Sequence, residues 1–258
     1  MSDREHVVLL AGCCDTTNIV CNALKGEFPF ARVILEEGVA KTQLVRRRVQ
    51  RLGVRKVAGQ LAFQLGVAPA LAALSKGRIR EILAENHLDL APPEERVVTR
   101  VHSVNDAATI ALLREIDPAV VIINGTRILS KALLEAVPTI FLNTHMGITP
   151  RYRGVHGGYW ALVQRKPDAC GVTVHVVDAG IDTGGIVAQA LIHPSPRDNF
   201  ATYPYLQIAK ALPLLKRAVR DALGKRLQTV SVKRDGSRLW YHPTLGEYLW
   251  HRIAHHVK

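Results

Sequence analysis

What the sequence lacks narrows it first. Cysteine is rare: Cys13, Cys14, Cys21 and Cys170 are the only four, and no two have C-x-x-C spacing. That excludes a disulfide-stapled secreted scaffold and a C-x-x-C redox or zinc motif, and it fits reduced thiols in the cytoplasm. No secretory leader is expected, because the opening "MSDREHVVLLAG" follows its charged residues with only a short apolar run. No apolar stretch is both long enough and free enough of charge to be read as a membrane span. Internal repeats and low-complexity tracts are absent. Acidic residues are missing from one segment: between Lys41 and Arg80 there are ten Lys or Arg and no Asp or Glu. That segment carries most of the net charge of +12, and the remainder is close to balanced. A uniformly basic nucleic-acid binder is therefore excluded, and no DNA partner is expected.

What is present is an ordered globular composition. A chain of 258 residues, 48% hydrophobic, can bury one sizeable core with at most a small appendage. The continuous, β-branched run "HVVLLAG" (6–12) reads as a strand buried on both faces. Further strands are expected at 31–37, 96–101, 119–125, 139–145, 171–178, 185–193 and 228–234. Helices are expected at 16–25 (capped by Thr16 or Thr17), 105–116 (capped by Asn105 or Asp106), 130–137, 157–165 and 244–256. Residues 41–89 are helical in pattern, and 199–223 form a long helical region with two prolines as potential breaks. Strands alternating with helices imply right-handed crossovers and a Rossmann-like α/β fold, a mostly parallel sheet flanked by helices. Ligands of such sheets bind outside the carboxyl ends of the strands.

The stretch "FLNTHMGITPRYRGVHGGYWAL" (141–162) occupies one such end. A buried strand finishes in Asn143 and His145, and a proline- and glycine-bearing basic loop follows. The turn "VDAGIDTGGI" (177–186) places Asp178 and Asp182 after another strand. Either feature alone is ambiguous, since strand-end histidines and turn aspartates are usually structural. Together they can pair: a carboxylate orients an imidazole and raises its pKa, and a neighbouring amide completes a site for a developing oxyanion. No nucleophile-elbow serine or paired cysteine is nearby, so direct acyl transfer without an enzyme nucleophile is the expected chemistry.

Asn143-x-His145, Pro150-x-Tyr152-Arg153-Gly154 and Asp182-x-Gly-Gly, in this order and spacing, resemble the 10-formyltetrahydrofolate-dependent formyltransferase family. The resemblance covers about residues 95–195. It implies that Asn143, His145 and Asp182 are the catalytic trio and that 10-formyltetrahydrofolate is the formyl donor, with no metal. It implies attack by an acceptor amine on the formyl carbon. A charged His145 and Asn143 would stabilise the oxyanion, while Asp182 moves the proton. Arg127, Ile128 and Leu129 look like the family's folate-pocket segment, and Val177 and Asp178 like its opposite wall. Tyr152, Arg153, Gly154 and His156 fall where acceptor contacts are expected. His156 and His175 sit at motif-equivalent positions, where a structural role is equally open.

The resemblance also frames the acceptor and the domain organisation. Residues 1–199 are expected to form the catalytic domain, with a basic helical insertion at about 41–89, and 200–258 a strand and helix extension packed on it. The "AGCCDTTN" loop (11–18) is a poor phosphate nest, which disfavours glycinamide ribonucleotide. The segment after Asn199 is too short for a β-barrel that would receive tRNA. A small amine acceptor remains, with a nucleotide-linked amino sugar as the leading choice. Phosphoribosylglycinamide formyltransferase, a formyltetrahydrofolate hydrolase and a non-catalytic membrane- or partner-binding relative stay open as alternatives. In "LVRRRVQRL" (44–52), Leu44, Val45, Val49 and Leu52 share an arc of about 140° on a helical wheel. Such a basic amphipathic segment suits peripheral contact with an anionic inner membrane face through 41–80, a helical hairpin packed on the body, or a homodimer interface. RNA binding lacks supporting aromatic interleaving. The aromatic tail 237–252 fits either an acceptor pocket or a packed terminal helix. His251 and His255 are spaced i, i+4 without a third metal ligand.

Overall fold

The structure, a computed structural model, describes residues 6–38, 40–232 and 236–258. Its centre is a seven-stranded sheet. The strands are β1 (Val7–Gly12), β2 (Phe30–Glu36), β3 (Val98–Val101), β4 (Val120–Asn124), β5 (Ile140–His145), β7 (Gly171–Val176) and β8 (Ile186–Leu191), in the spatial order β3-β2-β1-β4-β5-β7-β8. From β3 to β5 all pairings are parallel, whereas β7 runs antiparallel to both β5 and β8. The order reverses between β1 and β4, where such sheets leave a crevice at the strand ends. The alternation of β1 explains its apolar run. Val7, Leu9 and Ala11 enter one core layer with α1 (Asp15–Leu24), and Val8 and Leu10 enter the other, beneath α6 (Ala107–Ile116) and α7 (Lys131–Ala136).

Caps differ from the sequence expectation in detail. Helix α1 starts at Asp15 with Cys14 at its N-cap, and Thr17 Oγ1 donates instead to Gly12 O at 2.6 Å. Asp106 occupies the N-cap of α6 without a side-chain cap, because Asn105 is drawn to the 128–130 turn. Ser130 caps α7 by accepting from Leu133 N.

Helix α9 (Tyr203–Leu223) shows why a proline need not end a helix. Pro204 lies in its first turn, and Pro213 sits inside without breaking it. An interior proline costs about 3 kcal/mol. Here the helix buries Ile208, Ala211, Leu212, Leu215, Ala218 and Val219 in the layer that covers β1, β5 and β7, which outweighs that cost. Of the strand expected at 228–234, the described residues 228–232 make one antiparallel bridge, between Val230 and Ile186. Positions 233–235 lie outside the described residues.

The insertion folds as α2 (Lys41–Leu52), α3 (Val54–Ala62), a π turn (Phe63–Val67), α4 (Ala68–Leu74) and α5 (Lys76–Glu85). On α2, Val45, Arg48, Val49 and Leu52 are the half-buried residues, and Arg48 donates to Gln64 Oε1 at 3.0 Å. Leu44, expected on the same face, is exposed. No membrane-length helix is expected from the sequence, yet Val54–Leu74 is a continuous helical run of 21 residues, long and apolar enough to cross a bilayer by length and composition. One side of that run packs on the chain's C-terminal part. Gly59 is so close to Thr244 that a Cβ would meet its Cβ at 2.9 Å, and Gln60 Nε2 donates to His242 O at 2.8 Å. Phe63 joins an aromatic cluster with Tyr159, Trp160, Trp240 and Tyr248. These last residues come from α8 (Gly157–Val163), β9 (Arg238–Trp240) and α10 (Leu245–Ala254). Strand β9 pairs in parallel with β6 (Tyr152–Gly154), so the loop after the β5 histidine is stapled to the C-terminal segment.

Candidate active site

The site is built where β5 and β7 end side by side. Side chains two apart on a strand share a face, so Asn143 and His145 point the same way. The antiparallel register sets His175 opposite Asn143 and Thr173 opposite His145. Asn143 Nδ2 lies 3.1 Å from His175 Nε2, and His175 Nδ1 lies 2.9 Å from Val176 O. The carbonyl can only accept, so Nδ1 carries a proton, and Nε2 lies between the Asn143 amide and the Asp182 carboxylate.

Asp182 reaches this group from the glycine-rich turn, with its backbone in the left-handed region at φ 50°. Its Oδ2 accepts from Gly154 N at 2.8 Å and lies 3.3 Å from His145 Nδ1, and its Oδ1 lies 3.6 Å from His175 Nε2. Burial raises the Asp182 pKa, but His175, His145 and the Gly154 N–H together outweigh it, and the net shift is downward. The His145 pKa moves down, not up as a carboxylate partner alone would move it. Burial, the strongest influence, lowers its pKa, and the opposing pull of Asp182 does not overcome it. Its Nε2 donates to Tyr152 O at 2.6 Å, which leaves Nδ1 facing the carboxylate. The ring is held tightly: a Cβ on Gly147 would sit 2.8 Å from His145 Nε2 and 2.5 Å from Tyr152 O.

Two cavities open on either side of this cluster. The smaller, about 120 Å³, is lined by Arg127, Ile128, Leu129, Val177 and Asp178, all five of the residues expected around a folate. Asn143, His175 and Asp182 form its inner end. Arg127 contributes its backbone there. Its guanidinium turns away to Glu36, Glu37 O and His102 O, and its N–H donates to Glu36 Oε2 at 2.9 Å. Asn105 holds the same turn from beneath, donating to Ile128 O and accepting from Ser130 N. Ile128 is 60% exposed, an uncovered apolar side chain at the rim. Asp178 is engaged by Gly180 N and Thr183 Oγ1.

The larger cavity, about 410 Å³, is lined by His145, Gly154, His156 and Asp182, with Asn143 and Gly125-Thr126 shared with the smaller one. Tyr152 and Arg153 line neither, contrary to their expected acceptor contacts. The Tyr152 ring is fully buried, stacked on Trp240, with its hydroxyl donating to Gln164 Oε1 at 2.9 Å. Arg153 donates to Ile181 O at 3.0 Å and Ser237 Oγ at 2.8 Å, so it ties the Asp182 turn to β6 and the C-terminal segment. His156 is left-handed at the start of α8, and its Nε2 lies 2.9 Å from His242 Nδ1. Burial pushes both rings down, His156 to about 3 and His242 to about 4.

Several lining residues were not singled out from the sequence. Asn124, at the end of β4, spans to Thr16 and Thr17 hydroxyls at 3.1 and 2.9 Å. It carried the same signal as Asn143, an amide closing a buried apolar run. Tyr159, Phe200, Tyr203 and Gln207 reach the larger cavity from α8, α9 and the turn before α9, and no local pattern marks them. Among the described residues, no group of three His, Cys, Asp or Glu could hold a metal.

A sheet of this topology is Rossmann-like, and an amide, two imidazoles and a carboxylate converge at its strand ends between two cavities. The formyl transferase family pattern matches residues 71–205, just over half of the chain, and the chain belongs to that family. Methionyl-tRNA formyltransferase of Syntrophus aciditrophicus (strain SB) is 30% identical over 146 residues, covering 56% of this chain and 46% of that protein. The chain spans about half the length of the curated relatives it matches. A sugar N-formyltransferase from Shewanella sp FDAARGOS_354 superposes with a TM-score of 0.55 at 16% identity, over 91% of this chain and 76% of that one. Phosphoribosylglycinamide formyltransferase from Streptococcus pneumoniae TIGR4 gives 0.52 at 21% identity, over 85% and 98%. These two structural likenesses establish the fold and leave the acceptor open.

Proposed function

We propose that the chain transfers a formyl group from 10-formyltetrahydrofolate to the primary amine of a small acceptor, a nucleotide-linked amino sugar. The observation that carries this reading is the shared wall. Asn143 and Asp182 line both cavities, so a donor in one and an acceptor in the other would meet at these side chains. The smaller cavity suits a flat, amide-like heterocycle, with backbone along the 125–129 turn and the uncovered Ile128 at its rim. When bound, 10-formyltetrahydrofolate supplies a formyl carbon on a nitrogen that can leave.

The protein's part is hydrogen bonding and proton handling. Asn143 Nδ2 has two N–H groups, one directed at His175, so the second is available to a carbonyl oxygen that gains negative charge. Nearly buried His145 and Asp182 face the larger cavity through Nδ1 and Oδ2, 3.3 Å apart. A proton given up by an attacking amine lodges between these two atoms and is passed to the donor nitrogen as its bond to the formyl carbon breaks. Nε2 keeps its own proton on Tyr152 O, which leaves Nδ1 able to take that proton beside the carboxylate.

The larger cavity supports this acceptor class. Thr16, Asn124, Thr126 and Gln207 are uncharged hydrogen-bonding groups, Tyr159 and Phe200 are flat apolar faces, and among the described residues no Lys or Arg lines it. Hydroxyl-bearing rings suit this lining better than a phosphate does. The nearby 11–18 loop adds Asp15, engaged by Tyr205, rather than a cation. A second reading, methionyl-tRNA as acceptor, is favoured by the name of the sequence relative and by the basic 41–80 segment. Tetrahydrofolate release from 10-formyltetrahydrofolate, assayed with amino sugar nucleotides, glycinamide ribonucleotide, methionyl-tRNA and no acceptor, separates these. Release that requires an amino sugar nucleotide is expected. Release that requires methionyl-tRNA would replace the leading reading with the second, and release without any amine would point to hydrolysis.

A further inference from the structure

We propose that a third cavity, beside α8 and β9, binds the phosphate-bearing end of the acceptor; this rests on the formyl-transfer reading above. The cavity measures about 290 Å³. It shares a wall with the larger catalytic cavity: His156 lines one, His242 lines the other, and their rings are joined at 2.9 Å. It carries the positive charge that the described lining of the catalytic cavity lacks. Lys56 from the insertion and Arg238 from β9 both line it. The Arg238 guanidinium lies 4.3 Å over the Trp240 ring, and Arg51 approaches the Tyr241 ring at 5.4 Å from the same side of the insertion. The acid in the lining is Glu247, whose Oε2 accepts from Thr244 N at 2.8 Å within the α10 capping box. His251 also lines the cavity, and its buried Nδ1 has no hydrogen-bond partner within the protein.

The walls are rigid. Trp160 and Trp240 stack at 4.8 Å and 25°, and Trp160 Nε1 donates to Tyr241 O at 2.9 Å. A diphosphate brings about two negative charges. Desolvating them in the cation-free catalytic cavity is costly, whereas Lys56 and Arg238 are placed to pair with them next door. The basic insertion thereby gains a role in the reaction: through Lys56 it supplies one wall of an anion site that adjoins the catalytic cavity at the His156–His242 pair.

The test uses the full chain and uridine 5′-diphosphate as probe. Trp160 and Trp240 are two of the three tryptophans, so the Trp250→Phe background reports on this cavity by its emission. Saturable quenching by the diphosphate is expected. It should weaken at least tenfold in Lys56→Glu and in Arg238→Gln, and persist in Asp182→Asn. With the amino sugar nucleotide as acceptor, the same two charge variants should raise acceptor KM at least tenfold while kcat and donor KM hold. Two charge sites guard against misfolding of either variant, and the melting temperature of each is recorded. Binding indifferent to Lys56 and Arg238, or abolished by Asp182→Asn, would overturn the site. Charge-dependent binding with unchanged acceptor KM would overturn its assignment to the acceptor. Charge-dependent binding with no formyl transfer to any acceptor would keep the anion site and remove the catalytic reading instead.

Discussion

At Asp182 two imidazoles and one backbone N–H converge on a single carboxylate. Replacing it by Asn keeps the shape and the Gly154 contact but removes the charge that faces His145 Nδ1 and holds the proton taken from the amine. Turnover should fall by about two to three orders of magnitude, as for loss of one preorganised charge-stabilising group. Tetrahydrofolate release at saturating substrates measures it, and a loss under tenfold would remove Asp182 from the chemistry. Arg153 makes a milder prediction. Its bonds to Ile181 O and Ser237 Oγ fix the Asp182 turn, so Arg153→Met should lower kcat about tenfold with acceptor KM little changed. A rise in KM alone would restore it as an acceptor contact. These residues also show what the sequence could reveal at this scale. Asn143, His145 and Asp182 stood out because polar groups closed apolar strands or sat in a glycine-rich turn. The directions of Tyr152 and Arg153 did not, because a three-residue strand gives no alternation to read. Which way each side chain points depends on β9, some eighty residues away.

Among elements, the β6–β9 pair and the α10 capping box both fasten the C-terminal segment, but only the first touches the site. Gly154 has φ +93°, and a Cβ there would sit 2.4 Å from Trp240 O, while its N–H holds Asp182. Gly154→Ala should therefore cost at least about 1–3 kcal/mol from the backbone conformation alone and lower kcat at the same time. Thr244→Ala removes one cap from α10, accepted from Glu247 N at 3.1 Å, and should cost about 1 kcal/mol while leaving kcat unchanged. Thermal melts and turnover on the two variants check the contrast. Equal loss of activity in both would mean that the C-terminal segment acts as one unit. The main sheet was legible because long runs such as "VVIIN" are buried on both faces and repeat with helices between them. At 228–232 β propensity by itself sets no partner, and among these residues the segment makes one bridge, beside Ile186. The insertion was legible as helix, but its docking on Thr244 and His242 was not, since packing partners far apart in sequence leave no local pattern.

For the whole molecule, the buried histidines set how stability responds to acid. His156 and His242 titrate at about 3 and about 4 in the folded chain, because burial disfavours their charged forms and because each faces a further positive group. In the unfolded chain both take up protons near pH 6.5. The unfolded state therefore binds more protons as pH falls below 6.5, and the stability these rings contribute is full above that value and lost beneath it. At pH 5 the loss should reach up to about 2 kcal/mol for each ring. Burial of His145 and His251 acts in the same direction. Asp182 and Asp198, held below their ordinary values mainly by their charged and hydrogen-bonding partners against the opposing effect of burial, add to the loss only as pH falls below about 4. Chemical denaturation at pH 7, 6 and 5 should thus show stability falling through this window. His242→Asn should be less stable at pH 7, having lost the bond to His156, yet show a shallower decline toward pH 5. A flat profile in the unmodified chain, or an unchanged slope in the variant, would mean that the pair is hydrated enough to charge in place. The wall between the catalytic and anion cavities would then carry positive charge in weak acid.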